Sequence, residues 1–123
     1  KNDNTTNVTY TAVKPAGGDG DPAMWRDNSP SGYPGQKPTL LVSSQYNGNR
    51  TARRVKLTFK MNDLFTNSTT GVVGVRTTAI ADVTVTLPLD MSSSTALEFS
   101  AQFGNLLAST LLRNVNTDGF APV

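Results

Sequence analysis

The sequence predicts an α+β fold, an N-terminal β-hairpin and antiparallel sheet followed by C-terminal helix, and three observations carry that prediction. Across residues 53–61 and again across 81–89, apolar and polar residues alternate with the period of two expected of a strand buried on one face. After Ser92-Ser93-Ser94 the period changes, and Phe99, Phe103, Leu106, Leu107 and Leu111 recur at spacings of three or four, forming one apolar stripe of a helix. Only 37% of the residues are hydrophobic, lean for a compact monomer, while the abundant Thr, Ser, Asn and Gly suit short strands and turns. A chain of 123 residues fits a single domain, 1–123.

Each element follows from its local pattern. Val8 to Val13 alternates as a strand, the glycines and aspartates of Ala16 to Pro22 make a turn, and Ala23 to Arg26 returns as the second strand of a hairpin. Asp27 to Pro38 carries Pro30, Pro34 and Pro38 with Gly32 and Gly35, which predicts an extended loop. A third strand is predicted over Thr39 to Gln45, turning through Asn47-Gly48-Asn49, where Asn-Gly supplies the positive φ of a tight hairpin. In the fourth, Val55, Leu57, Phe59 and Met61 lie on one face and Arg54, Lys56, Thr58 and Lys60 on the other. Asn62 to Thr70 is predicted as a loop, followed by strands over Gly71 to Thr78 and from about Ala79 to Leu89. Thr95-Ala-Leu-Glu98 has the form of a capping box at a helix start, and Asn114 to Val123 has the composition of an extended tail.

The residue inventory narrows the functions available. Without cysteine there is no disulfide, thiolate metal site or thiol nucleophile; without histidine the commonest general base and transition-metal ligand are gone. No pattern sets a base beside a nucleophile, so neither an enzyme nor a metal or cofactor site is expected. No apolar run approaches the roughly 20 residues of a membrane helix, and the start KNDNTTNVTY lacks a signal-peptide core, so the chain is expected to be soluble and cytoplasmic.

The net charge of +2 conceals an uneven distribution. From Lys37 to Asn62 there are six cations, Lys37, Arg50, Arg53, Arg54, Lys56 and Lys60, and no carboxylate; the other five cations are set against all nine acidic residues, so the window is +6 and the remainder −4. Such a window points to a polyanion, although charges on one strand also serve simply to keep an exposed sheet face soluble. Periodicity favours the first reading, because it puts Arg54, Lys56, Thr58 and Lys60 on one face, flanked by Thr39 and Ser43 and by Thr84 and Thr86 from neighbouring strands. Asp82 on the same face could accept from a base amino group or pair with a neighbouring Lys or Arg. The other face is apolar and too wide for one helix, which implies a second copy of the chain contributing its own helix.

These residues resemble a known family. Ile80-Ala-Asp-Val-Thr84, then Phe99, then Leu106-Leu-Ala-Ser-Thr-Leu-Leu112, with the length, the absent histidine and the basic hairpin, are similar to the coat proteins of single-stranded RNA bacteriophages, the allolevivirus branch in particular, from about Lys37 onward. The resemblance implies an N-terminal hairpin, a five-stranded antiparallel sheet and two C-terminal helices, interlocked between two subunits as a homodimer with a continuous sheet. It implies a quasi-equivalent icosahedral shell assembled in the host cytoplasm, with a loop resembling Asn62 to Thr70 around its symmetry axes. It further implies RNA binding, both of the genome and of a hairpin whose capture represses translation, at positions resembling Thr39, Leu41 and Ser43, Lys56, Thr58 and Lys60, and Ile80, Asp82 and Thr84. Two positions depart from the pattern: Ile80 stands where many members carry a Tyr that stacks on a base, and Leu41 where a small polar residue is familiar. The main alternative is a stand-alone nucleic-acid-binding module, which would use aromatic platforms on its strands, and none lies among the residues named here.

Overall fold

The computed structural model describes residues 5–30 and 32–119. They divide into two compact units, a sheet unit ending at Leu87 and a helical unit beginning at Pro88.

The sheet unit is a single antiparallel sheet whose strands lie in chain order: β1 (Thr11–Lys14), β2 (Ala23–Arg26), β3 (Thr39–Tyr46), β4 (Ala52–Thr66) and β5 (Val73–Pro88). The predicted hairpin supplies two of the five strands; Thr11 faces Arg26 and Ala12 faces Trp25, with a shift of register before Lys14. Residues 8–10 fall outside β1, yet the Tyr10 ring meets Phe59 edge to face, with centroids 6.3 Å apart. Tyr10 is held above its ordinary pKa, first by burial and then by the nearby Asp27 carboxylate. Asp27 is itself buried and accepts from the Ser29 amide at 2.9 Å and hydroxyl at 2.6 Å, so the proline-rich segment enters its course through an Asx turn.

Three predicted boundaries move. β4 continues to Thr66 and the loop after it contracts to residues 67–72, because Asn67 closes the hairpin itself: its amide donates to the Val72 carbonyl at 2.8 Å and its side chain accepts from Thr69 and Thr70. The two strands predicted after that loop are one, β5, since nothing at Thr78-Ala79 interrupts the ladder. The turn before β4 does not use Gly48 for its left-handed residue; Arg50, at φ 54°, takes that role, with Asn47 Oδ1 accepting from the Thr51 and Ala52 amides at 2.9 and 3.3 Å.

In the helical unit α1 spans Ser93–Leu107 and α2 spans Thr110–Asp118. The helix start lies three residues earlier than the predicted capping box. Ser92 is the cap, its hydroxyl accepting from the Thr95 amide, and Glu98 instead accepts from Gln102 at 2.7 Å one turn on. The single stripe is broken at Ala108-Ser109, where Ser109 caps a second helix by accepting from the Leu112 amide. α2 takes up residues 114–118 of the segment predicted as an extended tail and stops at Gly119, whose φ of 77° is the left-handed C-terminal conformation. Residues 120–123 lie outside the described residues.

Among the described residues the only buried apolar side chains are Ala23, Ala52 and Pro38, and no large side chain is fully buried. Arg53, which interrupts the alternation of β4, ties the hairpin turn to the sheet. Its two terminal nitrogens donate to both oxygens of Asp19 at 3.0 and 3.1 Å, one also reaches Ser44 Oγ at 2.7 Å, and the guanidinium lies 4.3 Å from the centre of the Tyr46 ring. The hydrogen bond from Arg53 holds the Asp19 carboxyl below its ordinary range. The contribution of this tether is therefore complete above the ordinary carboxylate range and is lost as pH falls through the depressed value. Thermal unfolding followed from neutral pH into acid is expected to fall less steeply for Asp19→Asn than for the parent chain.

Candidate nucleic-acid interface

Cross-strand register decides which side chains share a face. Between β3 and β4, Thr39 faces Lys60, Leu41 faces Thr58, Ser43 faces Lys56 and Gln45 faces Arg54. On the other side of β3, Arg26 faces Thr39 and Met24 faces Leu41. β5 joins through two side-chain bonds: the Thr58 hydroxyl donates to Asp82 Oδ1 at 3.1 Å and the Thr78 hydroxyl donates to Asn62 Oδ1 at 2.7 Å. Opposed residues in an antiparallel pair point the same way, and alternate residues along each strand do too. All eight residues named from the sequence for this face, Thr39, Ser43, Arg54, Lys56, Thr58, Lys60, Asp82 and Thr84, are thus brought onto one surface.

The surface is open and its charge is unneutralised. Arg54, Lys56, Lys60, Asp82 and Thr84 are exposed, while Thr39, Ser43 and Thr58 are half-buried between them. The ion pairs among the described residues, Lys14 with Asp21 and Arg53 with Asp19, involve none of the three face cations. Of the two roles open to Asp82 from the sequence, pairing with a neighbouring Lys or Arg is not made; its carboxylate takes the Thr58 hydroxyl instead. The other carboxylate oxygen has no described donor, and it lies beside a cleft of about 250 Å³ lined by Lys56, Leu57, Thr58, Asp82, Val83 and Thr84. Such a group can accept from an amino N–H while the flanking cations hold phosphate.

Sequence reasoning missed four residues of this surface. Arg26 and Lys37 join Lys60, Asn62 and Thr78 around a second cleft at the β2 end. Lys37 belongs to the basic window, but only the register of β2 against β3 places Arg26 beside it. Ile80, also on this cleft, is 59% exposed.

The opposite face carries Trp25, Leu40, Val42, Val55, Leu57 and Phe59 in register, all half-buried. In the helical unit the residues of the predicted stripe are exposed except Phe103. Phe99 and Phe103 stack with their rings 4° from parallel and centroids 6.0 Å apart, beside a groove of about 350 Å³ shared with Gln102 and Leu106. Phe103 is half-buried; Phe99, Leu106, Leu107 and Leu111 are exposed.

No family model and no curated protein matches the chain. Solved structures do match. The virus-like particle of Beihai levi-like virus 21 aligns with a TM-score of 0.79 at 18% identity, over 100% of this chain and 93% of that one. The virus-like particle of bacteriophage NT-214 gives 0.76 at 15% identity, over 96% and 89%. The capsid protein of bacteriophage GA gives 0.74 at 19% identity, over 94% and 86%. At these identities the likeness is one of fold: the five-stranded sheet followed by two helices is the fold of those shell proteins.

Replacing Lys56 or Lys60 with Gln is expected to weaken polyanion binding several-fold. Each change should also flatten the salt dependence by about 0.7 to 0.9 in the slope of log K against log salt. A salt titration of binding, read by fluorescence anisotropy, checks both.

Proposed function

We propose that this chain is the coat protein of a single-stranded RNA bacteriophage, a shell subunit that forms dimers and carries RNA on the polar face of its sheet. The observation that carries the reading is the division of one sheet into two unlike surfaces, in a fold shared with phage shell proteins. One surface bears cations without carboxylate partners. The other is apolar, and among the described residues no large side chain is fully buried.

A second copy answers two deficits of the isolated subunit, its exposed apolar residues and its open sheet edge. Covering a large aliphatic or aromatic side chain is worth about 1.5 to 3 kcal/mol, and Leu97, Phe99, Leu106, Leu107 and Leu111 are all exposed on the helices. β5 is also an edge strand of 16 residues, an unpaired row of amides and carbonyls that solitary proteins avoid. Pairing β5 with its twofold-related copy gives a continuous ten-stranded sheet. An isologous contact of this kind is self-complementary, and helices contributed by both subunits then complete each other's core. Contacts around the shell's symmetry axes fall to the loop at residues 67–72, shorter than the segment Asn62 to Thr70 that the resemblance implied.

RNA then meets the inner surface through Arg54, Lys56 and Lys60 at phosphates, with Thr39, Ser43, Thr58, Thr84 and Asp82 at base edges and sugar hydroxyls. Asp82, held by Thr58, favours a base that presents an amino donor. Ile80 cannot stack as an aromatic ring does, an interaction worth about 1 to 3 kcal/mol per base, so recognition of a regulatory hairpin leans on hydrogen bonding. Capture of such a hairpin would repress translation and mark the genome for packaging.

Expression in bacteria followed by electron microscopy, light scattering and absorbance is expected to give uniform icosahedral particles containing RNA. A chain that stays monomeric at high concentration with RNA added would overturn the proposal. Phe103→Ala is expected to impair dimerisation before RNA affinity, since Phe103, half-buried in one chain, would be covered in the dimer, and truncating a Phe buried in that way costs about 3 to 5 kcal/mol; sedimentation of the variant beside its RNA-binding curve separates the two effects.

A further inference from the structure

The cleft at the β2 end of the polar face has a volume of about 490 Å³. That lies within the roughly 300 to 1,000 Å³ of ordinary small-ligand sites. Three cations reach it from three separate elements, Arg26 from β2, Lys37 from the segment before β3 and Lys60 from β4, and no residue lining it is acidic. We infer that this cleft is a phosphate subsite, in which Arg26, Lys37 and Lys60 together hold one phosphodiester of an RNA strand beyond the positions that face its bases.

Three observations support the assignment, which rests on the RNA-face reading above. First, the cations are uncommitted. Arg26 has a buried Nε with no hydrogen-bond partner, and Lys37 reaches only the Asn28 carbonyl, at 3.5 Å. Gathering three positive charges around one cleft is unfavourable until an anion joins them, and a guanidinium fork with two ammonium groups suits the tetrahedral, doubly accepting oxygens of a phosphate. Second, the cleft is built rather than incidental. Asn62 accepts from Thr78 on β5 and donates to the Gly35 carbonyl at 2.8 Å, which fixes the 3-10 turn Pro34–Gln36 against the end of β4. Third, it adjoins the base-facing rows: Thr39 and Lys60 belong to both. A strand crossing β3 to β5 can therefore place a base near Asp82 and a neighbouring phosphate in the cleft without leaving the sheet.

The test uses the full-length chain freed of nucleic acid and a fluorescein-labelled single-stranded RNA of mixed sequence, titrated at several salt concentrations. The double variant R26Q/K37Q is expected to lose about five- to tenfold in affinity. Its salt slope should fall by about 0.7, the value of one phosphate contact on a single strand, and K56Q, at the other end of the face, should add its own loss independently. R26K is expected to keep the salt slope while losing part of the affinity, because it retains the charge without the fork. If R26Q does not fold, K37Q alone decides, since Lys37 lies outside the strands. Normal affinity and slope in R26Q/K37Q, with K56Q impaired, would overturn the subsite and leave the RNA face standing. Normal binding in all variants would overturn both. Loss of particle assembly with RNA binding intact would make the cleft a contact between proteins and would also reject the inference.

Discussion

The register of β4 between its neighbours is the constraint on which the rest depends. Because Lys56, Thr58 and Lys60 fall opposite Ser43, Leu41 and Thr39, every apolar residue of β4 from Val55 to Phe59 is committed to the other side, where it meets Ser44, Val42 and Leu40. A slip of one residue would exchange the two surfaces completely, setting cations against Trp25 and Tyr10. Arg53 anchors one end of this arrangement, spending its guanidinium on Asp19, Ser44 and the Tyr46 ring. At the other end Asn62 bridges to β5 and to the turn at Gly35. Between these two pins the face cations are left without intramolecular partners.

Much of this was legible in the sequence because period-two alternation and hydroxyl caps are local signals. The faces of β4 and β5, the hairpin at Ala23 to Arg26, and the two C-terminal helices indicated by the Leu-Leu-Ala-Ser resemblance all stand in the structure. What failed to read through depended on side chains closing backbone groups nearby. Asn67 ends a hairpin, Asn47 stabilises a turn whose left-handed residue is Arg50 rather than Gly48, and Ser92 takes the cap that Thr95 appeared suited for by spacing alone. Each of these residues has the right chemistry, but several others within three positions have it too, and only three-dimensional closure chooses among them.

The candidate site shows the same division. Its central residues share one strand or obey one parity, so a one-dimensional pattern collected them. Arg26 could not be collected in that way. It sits in a four-residue strand too short for a periodicity, separated from Lys60 by a proline-rich loop, and only two successive registers bring it there. Its neighbour in sequence, Asp27, is buried among the loop's own amides, which removes the carboxylate most available to neutralise it. The sequence places an acid next to the base, and the turn at Ser29 takes up that acid's carboxylate instead.

The strand order has a consequence for how the molecule is made. Since β1 to β5 lie in the sheet in the order in which they are synthesised, every pairing is a hairpin closure between consecutive strands, with no crossover to wait for. Low contact order of this kind makes for fast assembly, and each strand can dock as it leaves the ribosome. Of the two edges of the sheet, β1 and β5, the longer, β5, is the last strand to be made. A nascent chain thus exposes its longest unpaired edge only after the four preceding strands can have paired, which limits the time in which that edge can join the wrong neighbour.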